Sequence, residues 1–325
     1  MKGPKGIKTL LDELGATLDR VDTKKAVPTL RNALAAKSAA IVAQGADLAG
    51  KLKATDLVGD LCTAFGSFMG AGLATDKHCL AKTAIVKALH QLQSHQPAVF
   101  LDGMTCYWPY QPRPGQRDEA TPLRIAATIA YAELASRSEL DLLVDRLVDP
   151  VSDVRQVAVR GLVALGGPTA AMVLRLKVLL GDENPSVMDE CFSGLLNCDS
   201  GRYLPFVAGF MHAGDDRVRV GAAIALGESG HENAFDLLLA CWTASKDQEF
   251  RRDLLVAMAL LRKDRAWQCL VGLIASGGED ARAALDALAT YRTDPQLRRQ
   301  IEAALAQAGE PELQRVFDKK FGKGL

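Results

Sequence analysis

A nine-residue stretch, Val154-Arg155-Gln156-Val157-Ala158-Val159-Arg160-Gly161-Leu162, recurs along this chain with the same arrangement of apolar and small residues. Gap-free counterparts occupy residues 123–131 (LRIAATIAY), 187–195 (VMDECFSGL), 218–226 (VRVGAAIAL) and 250–258 (FRRDLLVAM). Each copy has a small residue at the same position, and these residues are spaced by 31, 33, 31 and 32: Ala130, Gly161, Gly194, Ala225 and Ala257. Such a period indicates a repeat architecture.

Two helical patterns fit into each period, which makes a helical hairpin the repeating unit. In the central copy one stripe at 3.6-residue spacing holds the apolar and small residues: Val154, Ala158, Gly161, Leu162 and Leu165. Turn-forming residues separate the patterns, at Asp149-Pro150, Asn184-Pro185, Gly214-Asp215-Asp216 and Gly277-Gly278. A hairpin of this size cannot bury its own apolar face, so neighbouring hairpins must stack.

The motif resembles HEAT-like repeats of the phycobilisome-lyase type. An acid, an apolar residue and an arginine precede Ala-x-x-Ala/Gly-Leu, as in Asp153-Val154-Arg155 and Asp216-Arg217-Val218-Arg219. The resemblance implies a ladder in which the arginine of one repeat reaches the acid of an adjacent one, with these ladder residues: Asp153, Arg155, Asp216 and Arg219. Met188 replaces the arginine in one copy, which interrupts the ladder.

We therefore predict an all-α fold, a right-handed α-solenoid (superhelix) of about eight HEAT-like hairpins with capping helices. A single solenoid over residues 1–325 is expected, divided into an N-terminal cap helix (1–22), degenerate repeats (23–105), a loop insertion (106–121), regular repeats (122–293) and a C-terminal cap with a basic tail (294–325). The whole pattern also looks like that of uncharacterised bacterial HEAT-repeat proteins.

Charge and cysteine usage narrow the class of protein. Lysine plus arginine equals aspartate plus glutamate, 39 each, so no overall attraction to nucleic acid or an anionic membrane is indicated. The seven cysteines form no CxxC pair, which favours reduced, buried thiols in a cytoplasmic protein. His78-Cys79 could converge with Cys62 and Cys106 on a metal, but no second closely spaced ligand pair accompanies them. No membrane span is visible in the sequence.

Residues that could carry catalysis are sparse. One His-Glu pair, His231-Glu232, is similar to the repeated pairs that hold two irons in deoxyhypusine hydroxylases, but an acid favoured in the first turn of a helix explains it. The sequence has no phosphate-binding loop, GxSxG elbow or HExxH pair. We expect no metal, no cofactor and no catalytic residues.

The segment 106–121, CYWPYQPRPGQRDEAT, departs from the alanine- and leucine-rich pattern. Its prolines and glycine exclude a helix and predict a loop inserted between repeats. Aromatic and arginine side chains are typical of interface hot spots, so the candidate partner-binding residues are Tyr107, Trp108, Tyr110, Arg113 and Arg117. The alternative is that the aromatic side chains fold back and cover an apolar edge.

A second apolar feature lies beside the core stripe, at one equivalent position of successive copies: Val159, Phe192, Ala223 and Leu255. This position falls on the flank of the helix, so we predict that its side chains contact the adjacent repeat. If the flank were open, it would form an apolar strip on the concave face that could accept a helix or an extended peptide.

These features predict a non-enzymatic scaffold or adaptor that binds another protein through its concave face and the 106–121 loop. The alternative is a nucleic-acid-binding protein, because arginines occur along successive second helices, although acids accompany them: Arg155, Arg160, Arg219, Arg251 and Arg252. A cofactor-handling role like that of the bilin lyases is a third possibility, supported only by the shared repeat type.

Overall fold

The computed structural model describes residues 4–16, 23–69, 75–107, 118–134 and 140–322. The chain forms two compact units, Met1–Gly166 and Gly167–Leu325. Within the described residues every regular element is a helix, and no strand occurs. None of these helices is both long enough and apolar enough to cross a membrane.

The first unit contains nine helices among its described residues, and they pack as successive hairpins. Their bounds are α1 (Pro4–Ala16), α2 (Thr23–Leu34), α3 (Ala39–Lys51), α4 (Val58–Met69), α5 (Leu80–Gln91), α6 (Pro97–Met104), α7 (Thr121–Leu134), α8 (Asp141–Arg146) and α9 (Ser152–Leu165). The hairpins pair α2 with α3, α4 with α5, α6 with α7 and α8 with α9. The second helices α3, α5, α7 and α9 also contact one another in that order, which stacks the hairpins.

The second unit continues the same organisation. Its described helices are α10 (Gly167–Leu180), α11 (Pro185–Gly209), α12 (Asp216–Glu228), α13 (Glu232–Ala244), α14 (Gln248–Leu260), α15 (Asp264–Ser276), α16 (Gly278–Leu288), α17 (Pro295–Ala308) and α18 (Pro311–Phe321). Helix α11 is interrupted at Asp199, whose φ of −162° and ψ of 89° are not helical, so its halves belong to successive hairpins. The second helices α11, α12, α14 and α16 lie side by side.

The predicted all-α repeat fold is confirmed. Between α1 and the final pair α17–α18, the described residues form eight hairpins, four in each unit. The sequence predicted a single solenoid over residues 1–325. The structure divides the chain into two compact units, and the single solenoid stays a prediction.

The small residues of the repeat allow close helix packing. All five are buried, and Gly161 shows why size matters, because a Cβ placed there would lie 2.8 Å from the Cβ of Ala132. The four flank residues are also completely buried, which excludes an open apolar strip at these positions: Val159, Phe192, Ala223 and Leu255. Their contact with the adjacent repeat stays a prediction.

Helix starts follow from aspartate and asparagine caps. The Asp247 carboxylate accepts hydrogen bonds from the backbone N–H groups of Glu249 and Phe250, at 3.0 and 3.2 Å. Asp215 caps α12 through the N–H of Arg217 in the same way. These side chains satisfy backbone donors that a helix leaves unpaired at its first turn. These two caps therefore set where α12 and α14 begin.

Candidate functional site

Arginines near the start of the second helices form ion pairs with aspartates of the following repeat. Arg124 on α7 donates to Asp149 through Nε at 3.0 Å and Nη2 at 3.2 Å. Arg251 on α14 donates to Asp280 at 2.8 Å, and Arg219 on α12 pairs with the aspartate at the start of α14. The aspartates that pair with these arginines therefore lie at or near the starts of helices.

The predicted ladder residues occupy related positions. Asp216 pairs with Arg219 of its own helix at 3.0 Å, and Asp153 is an exposed acid in the first turn of α9. Arg155 donates to the backbone oxygens of Asp149 and Pro150 at 2.8 and 3.3 Å. In the three repeat-to-repeat pairs described above, the acid lies at or near the start of the next second helix. The ladder through Asp153, Arg155, Asp216 and Arg219 stays a prediction.

One predicted partner-binding residue, Tyr107, belongs to an internal network. Its ring lies 4.2 Å from the guanidinium carbon of Arg124, and its hydroxyl donates to Asp149 at 3.1 Å. Burial raises the pKa of Tyr107, and the neighbouring charge of Asp149 raises it further. Tyr107 is half-buried and covers the ion pair between Arg124 and Asp149. The other four predicted residues lie outside the described residues: Trp108, Tyr110, Arg113 and Arg117.

A cleft of about 600 Å³ opens on the second-helix face of the second unit, across α11, α12 and α14. Its apolar lining includes Val220, Ile224 and Phe250, and acidic side chains surround them. We define the acidic groove by this apolar floor and by three carboxylates, one from each helix: Asp189, Glu228 and Asp253. The groove is therefore built by three consecutive repeats.

The three carboxylates of the acidic groove have no cationic partner among the described residues. Oδ1 of Asp189 is buried and makes no hydrogen bond. The two arginines at the groove are already engaged, Arg217 with Asp215 at 3.5 Å and Arg219 with two aspartates. The groove therefore presents an excess of unpaired negative charge over an apolar floor.

Burial and like charges make two groove carboxylates, Asp189 and Asp253, harder to ionise. Burial raises the pKa of Asp189, and the charges of Glu190 and Glu228 add to the shift. Burial also raises the pKa of Asp253, with contributions from Glu249 and Asp247. Partial desolvation and repulsion of this kind occur at functional sites more often than elsewhere.

A glycine makes room for the least solvated of these carboxylates. A Cβ at Gly221 on α12 would lie 1.9 Å from Oδ1 of Asp189. Because no other residue lacks a Cβ, only glycine at this position lets the carboxylate lie against α12. The position of Asp189 in the groove thus depends on the residue opposite it in the next repeat.

Replacing Asp189 with asparagine is expected to stabilise the chain at neutral pH. The pKa of Asp189 is raised in the folded chain. Its ionised form therefore destabilises the folded chain at neutral pH, and this destabilisation disappears as the pH falls below about 3.9, the pKa of aspartate in the unfolded chain. The variant should therefore unfold at a higher temperature than wild type at pH 7, and the difference should shrink as the pH falls towards 4. Thermal unfolding monitored by circular dichroism measures both. A lower midpoint for the variant at pH 7 would contradict this account.

Sequence reasoning missed the acidic groove because its members share no repeat position. Asp189 is the third residue of its copy, Asp253 is the fourth, and Glu228 lies beyond the end of its copy. A second missed feature is an exposed apolar face on α10, formed by Met172, Leu176, Leu179 and Leu180. The helical spacing of these four residues is visible in the sequence. Spacing alone does not show which stripe of a helix faces solvent.

Part of the repeat region matches a known protein family. Residues 174–260 match the family model described as HEAT repeats. These residues are similar to HEAT repeats. The matched range includes all of α11, α12, α13 and α14, so every helix that lines the acidic groove lies within it. No curated protein sequence matches the chain.

Several solved structures resemble the HEAT-repeat fold seen here. The complex of CpcE and CpcF of phycocyanin lyase from Nostoc sp. PCC7120 is 16% identical, with a TM-score of 0.39 over 75% of this chain and 94% of that one. Human deoxyhypusine hydroxylase is 18% identical, with a TM-score of 0.32 over 91% and 99%. An engineered protein is 17% identical, with a TM-score of 0.37 over 100% and 92%. Similarities at this level say nothing about activity.

Proposed function

We propose that this HEAT-repeat chain is a scaffold that binds another protein through the acidic groove. The observation that carries the proposal is the set of three carboxylates without cationic partners around an apolar floor: Asp189, Glu228 and Asp253. A partner segment with lysine or arginine next to apolar side chains would complement both features. Extended surfaces of this kind are what repeat proteins use for binding.

The burial of Asp189 favours a partner that brings its own positive charge. Its carboxylate is already partly desolvated within the folded chain, so pairing it with a cation costs less further desolvation than pairing an exposed acid. A bound lysine or arginine would also lower the raised pKa values of Asp189 and Asp253, because an opposite charge favours the ionised carboxylate. Binding is therefore expected to strengthen as the pH rises through those values.

The same charges argue against nucleic acid as the occupant of this groove. Phosphate groups need an excess of lysine and arginine, whereas the groove has unpaired carboxylates and its two arginines are engaged with aspartates. No feature of the described residues supports a tetrapyrrole or another cofactor. We therefore propose a protein partner and give the groove no second function.

Neutralising two groove acids is expected to weaken partner binding about tenfold or more. The test variant is Asp189→Asn with Asp253→Asn, which keeps side-chain size and removes the repulsion between acids. The matched control is Glu232→Gln with Asp236→Asn on α13, which removes the same charge from exposed acids of the same unit. The partner is recovered with the wild-type chain from its native cells and identified, and its Kd is then measured with purified proteins. Equal Kd values for wild type and the groove variant would reject the proposal.

The 106–121 segment is proposed as a second contact with the same partner. Tyr107 is engaged with Asp149 and Arg124, so the test leaves it intact and changes Trp108→Ala with Tyr110→Ala. We expect weaker recovery of the partner at unchanged thermal stability. If the partner is retained and the chain is destabilised instead, the aromatic residues cover an apolar edge of the first unit.

A further inference from the structure

The outer side of α10 is an exposed apolar surface. Four of its side chains are each between 56% and 74% exposed: Met172, Leu176, Leu179 and Leu180. The opposite side of the helix is apolar as well, and it is buried against the stack, in contact with α11. A helix that is apolar on all sides is expected to be covered on all sides. The exposed side of α10 is therefore a candidate for contact with another molecule.

One cation interrupts this apolar surface. Arg175 is exposed, and its guanidinium carbon lies 3.8 Å from the centre of the Phe206 ring. It forms no ion pair with a carboxylate among the residues that the structure describes, whereas Lys177, the other base of α10, pairs with Asp182 at 2.8 Å. We define the α10 face by Arg175 together with the four apolar residues named above. This face thus combines apolar side chains with a positive charge that lacks a carboxylate partner.

The acidic groove of the same unit has the complementary features. Its floor is apolar, with Val220 and Ile224 among the lining residues, and its three carboxylates lack cationic partners among the described residues: Asp189, Glu228 and Asp253. A cation beside apolar side chains complements such a groove in both charge and polarity. The α10 face has both, so one chain contains the two halves of one contact.

The spacing of the α10 face suits a helix that lies in a groove. Its members Met172, Arg175, Leu176 and Leu179 fall at positions i, i+3, i+4 and i+7. This is the pattern by which an amphipathic helix anchors in an apolar groove. Because Arg175 belongs to the same stripe, its guanidinium would meet the carboxylates of the groove when the apolar side chains meet the floor.

A chain cannot place its own α10 face in its own groove. Helix α10 packs against α11, which itself lines the groove, so the exposed side of α10 points away from that helix. A ligand for the groove must therefore come from another molecule, and a second copy of this chain brings the required face. Overall charge does not oppose such association, because the chain has 39 basic and 39 acidic residues.

We propose that the α10 face of one copy binds the acidic groove of a second copy, so that the chain associates head to tail. This contact rests on the binding role proposed above for the groove, and the partner is then the chain itself. Because the two contacting surfaces differ, each pair of copies keeps one free groove and one free α10 face. Association therefore continues beyond a dimer, into a ring or a filament. One helix in one groove is smaller than a standard interface of about 1,600 Å², so the contact is weak and depends on protein concentration.

Sedimentation velocity of the purified full-length chain, from about 1 µM to about 1 mM, tests the association. The average mass of wild type should rise with concentration past that of a dimer. The groove variant, Asp189→Asn with Asp253→Asn, should associate about tenfold more weakly or less. The face variant, Leu176→Glu with Leu179→Glu, should lose association to at least the same extent, because it removes apolar contacts and places acids against acids.

The matched control for the face variant is Leu80→Glu with Val148→Glu. It adds the same charges at exposed apolar residues of the first unit, and it should associate like wild type. Circular dichroism checks that each variant is folded. All the substituted leucine and valine side chains are more than half exposed, so their replacement leaves the buried core unchanged.

A mixture of the groove variant and the face variant reveals how the copies contact each other. The face variant keeps an intact groove and the groove variant keeps an intact α10 face. Together they should form a one-to-one pair that grows no further, although each alone is monomeric. Pairing of α10 with α10 across a two-fold axis would instead leave the groove variant dimeric on its own, and this result would overturn the head-to-tail contact.

Two further results would reject self-association through the groove. A wild-type chain that stays monomeric at the highest concentration would overturn this contact alone, because the Kd of the groove variant for a partner recovered from cells is measured separately. Equal association of wild type and the groove variant would show that the copies contact each other elsewhere.

Discussion

Arg124→Ala is expected to lower the free energy of unfolding of the first unit by about 3–5 kcal/mol. The guanidinium is fully buried, and it donates to Asp149 and to Asp118. Its removal takes a buried cation from Asp149 and a hydrogen-bond donor from Asp118, and water does not replace the lost hydrogen bonds at a buried site. The cation–π contact with Tyr107 is lost as well.

Hydrogen exchange of α5, α7 and α9, together with urea unfolding of the full chain, measures this loss. The matched control is Arg219→Ala, which removes the equivalent arginine of a later repeat. That arginine is 21% exposed and its partner Asp247 is 40% exposed, so solvent screens the pair and a much smaller effect is expected. Similar losses for the two variants would show that burial of the first pair does not govern its contribution.

Gly227→Ala is expected to destabilise the second unit by about 1–3 kcal/mol or more. A Cβ at this position on α12 would lie 2.3 Å from the carbonyl oxygen of Ala257 and 2.9 Å from its carbonyl carbon. The obstructing atoms belong to the backbone of α14, so the clash can be relieved only if the two helices move apart. Separation of α12 from α14 would also widen the acidic groove, since both helices line it.

The control for this substitution is Gly272→Ala on α15 of the same unit. Nothing lies within 4 Å of a Cβ at Gly272, so there alanine is expected to stabilise the helix by about 0.5–1 kcal/mol through its higher helix propensity. Urea unfolding of the two variants should therefore show shifts of opposite sign. Destabilisation by both would mean that loss of glycine at helix positions, rather than helix contact, explains the effect at Gly227.

The acidic groove and the repeat core place different demands on the same helices. Ala222 and Leu226 on α12 are buried in the stack, whereas Val220 and Ile224 of the same helix line the groove. Packing between repeats therefore explains why the first two residues are apolar. The other two form part of the groove wall. The raised pKa of Asp189 indicates that placing this carboxylate in the groove costs some stability.

Periodicity alone was enough to predict the hairpin architecture. The 31–33-residue spacing of Ala130, Gly161, Gly194, Ala225 and Ala257 is a local property of the chain, and all five residues are buried as the pattern predicts. Proline, glycine and aspartate at the turns place helix ends in the same way, because capping acts within a few residues. Buried flank positions such as Phe192 followed from the same periodicity.

Contacts between repeats needed the tertiary structure. Which aspartate receives Arg124 depends on how one hairpin lies against the next, and the answer, Asp149, is 25 residues away in sequence. The acidic groove collects carboxylates from three helices at unrelated repeat positions. Hydrophobic spacing specifies which face of a helix is buried, but charge pairing depends on distances that only the stacked hairpins set.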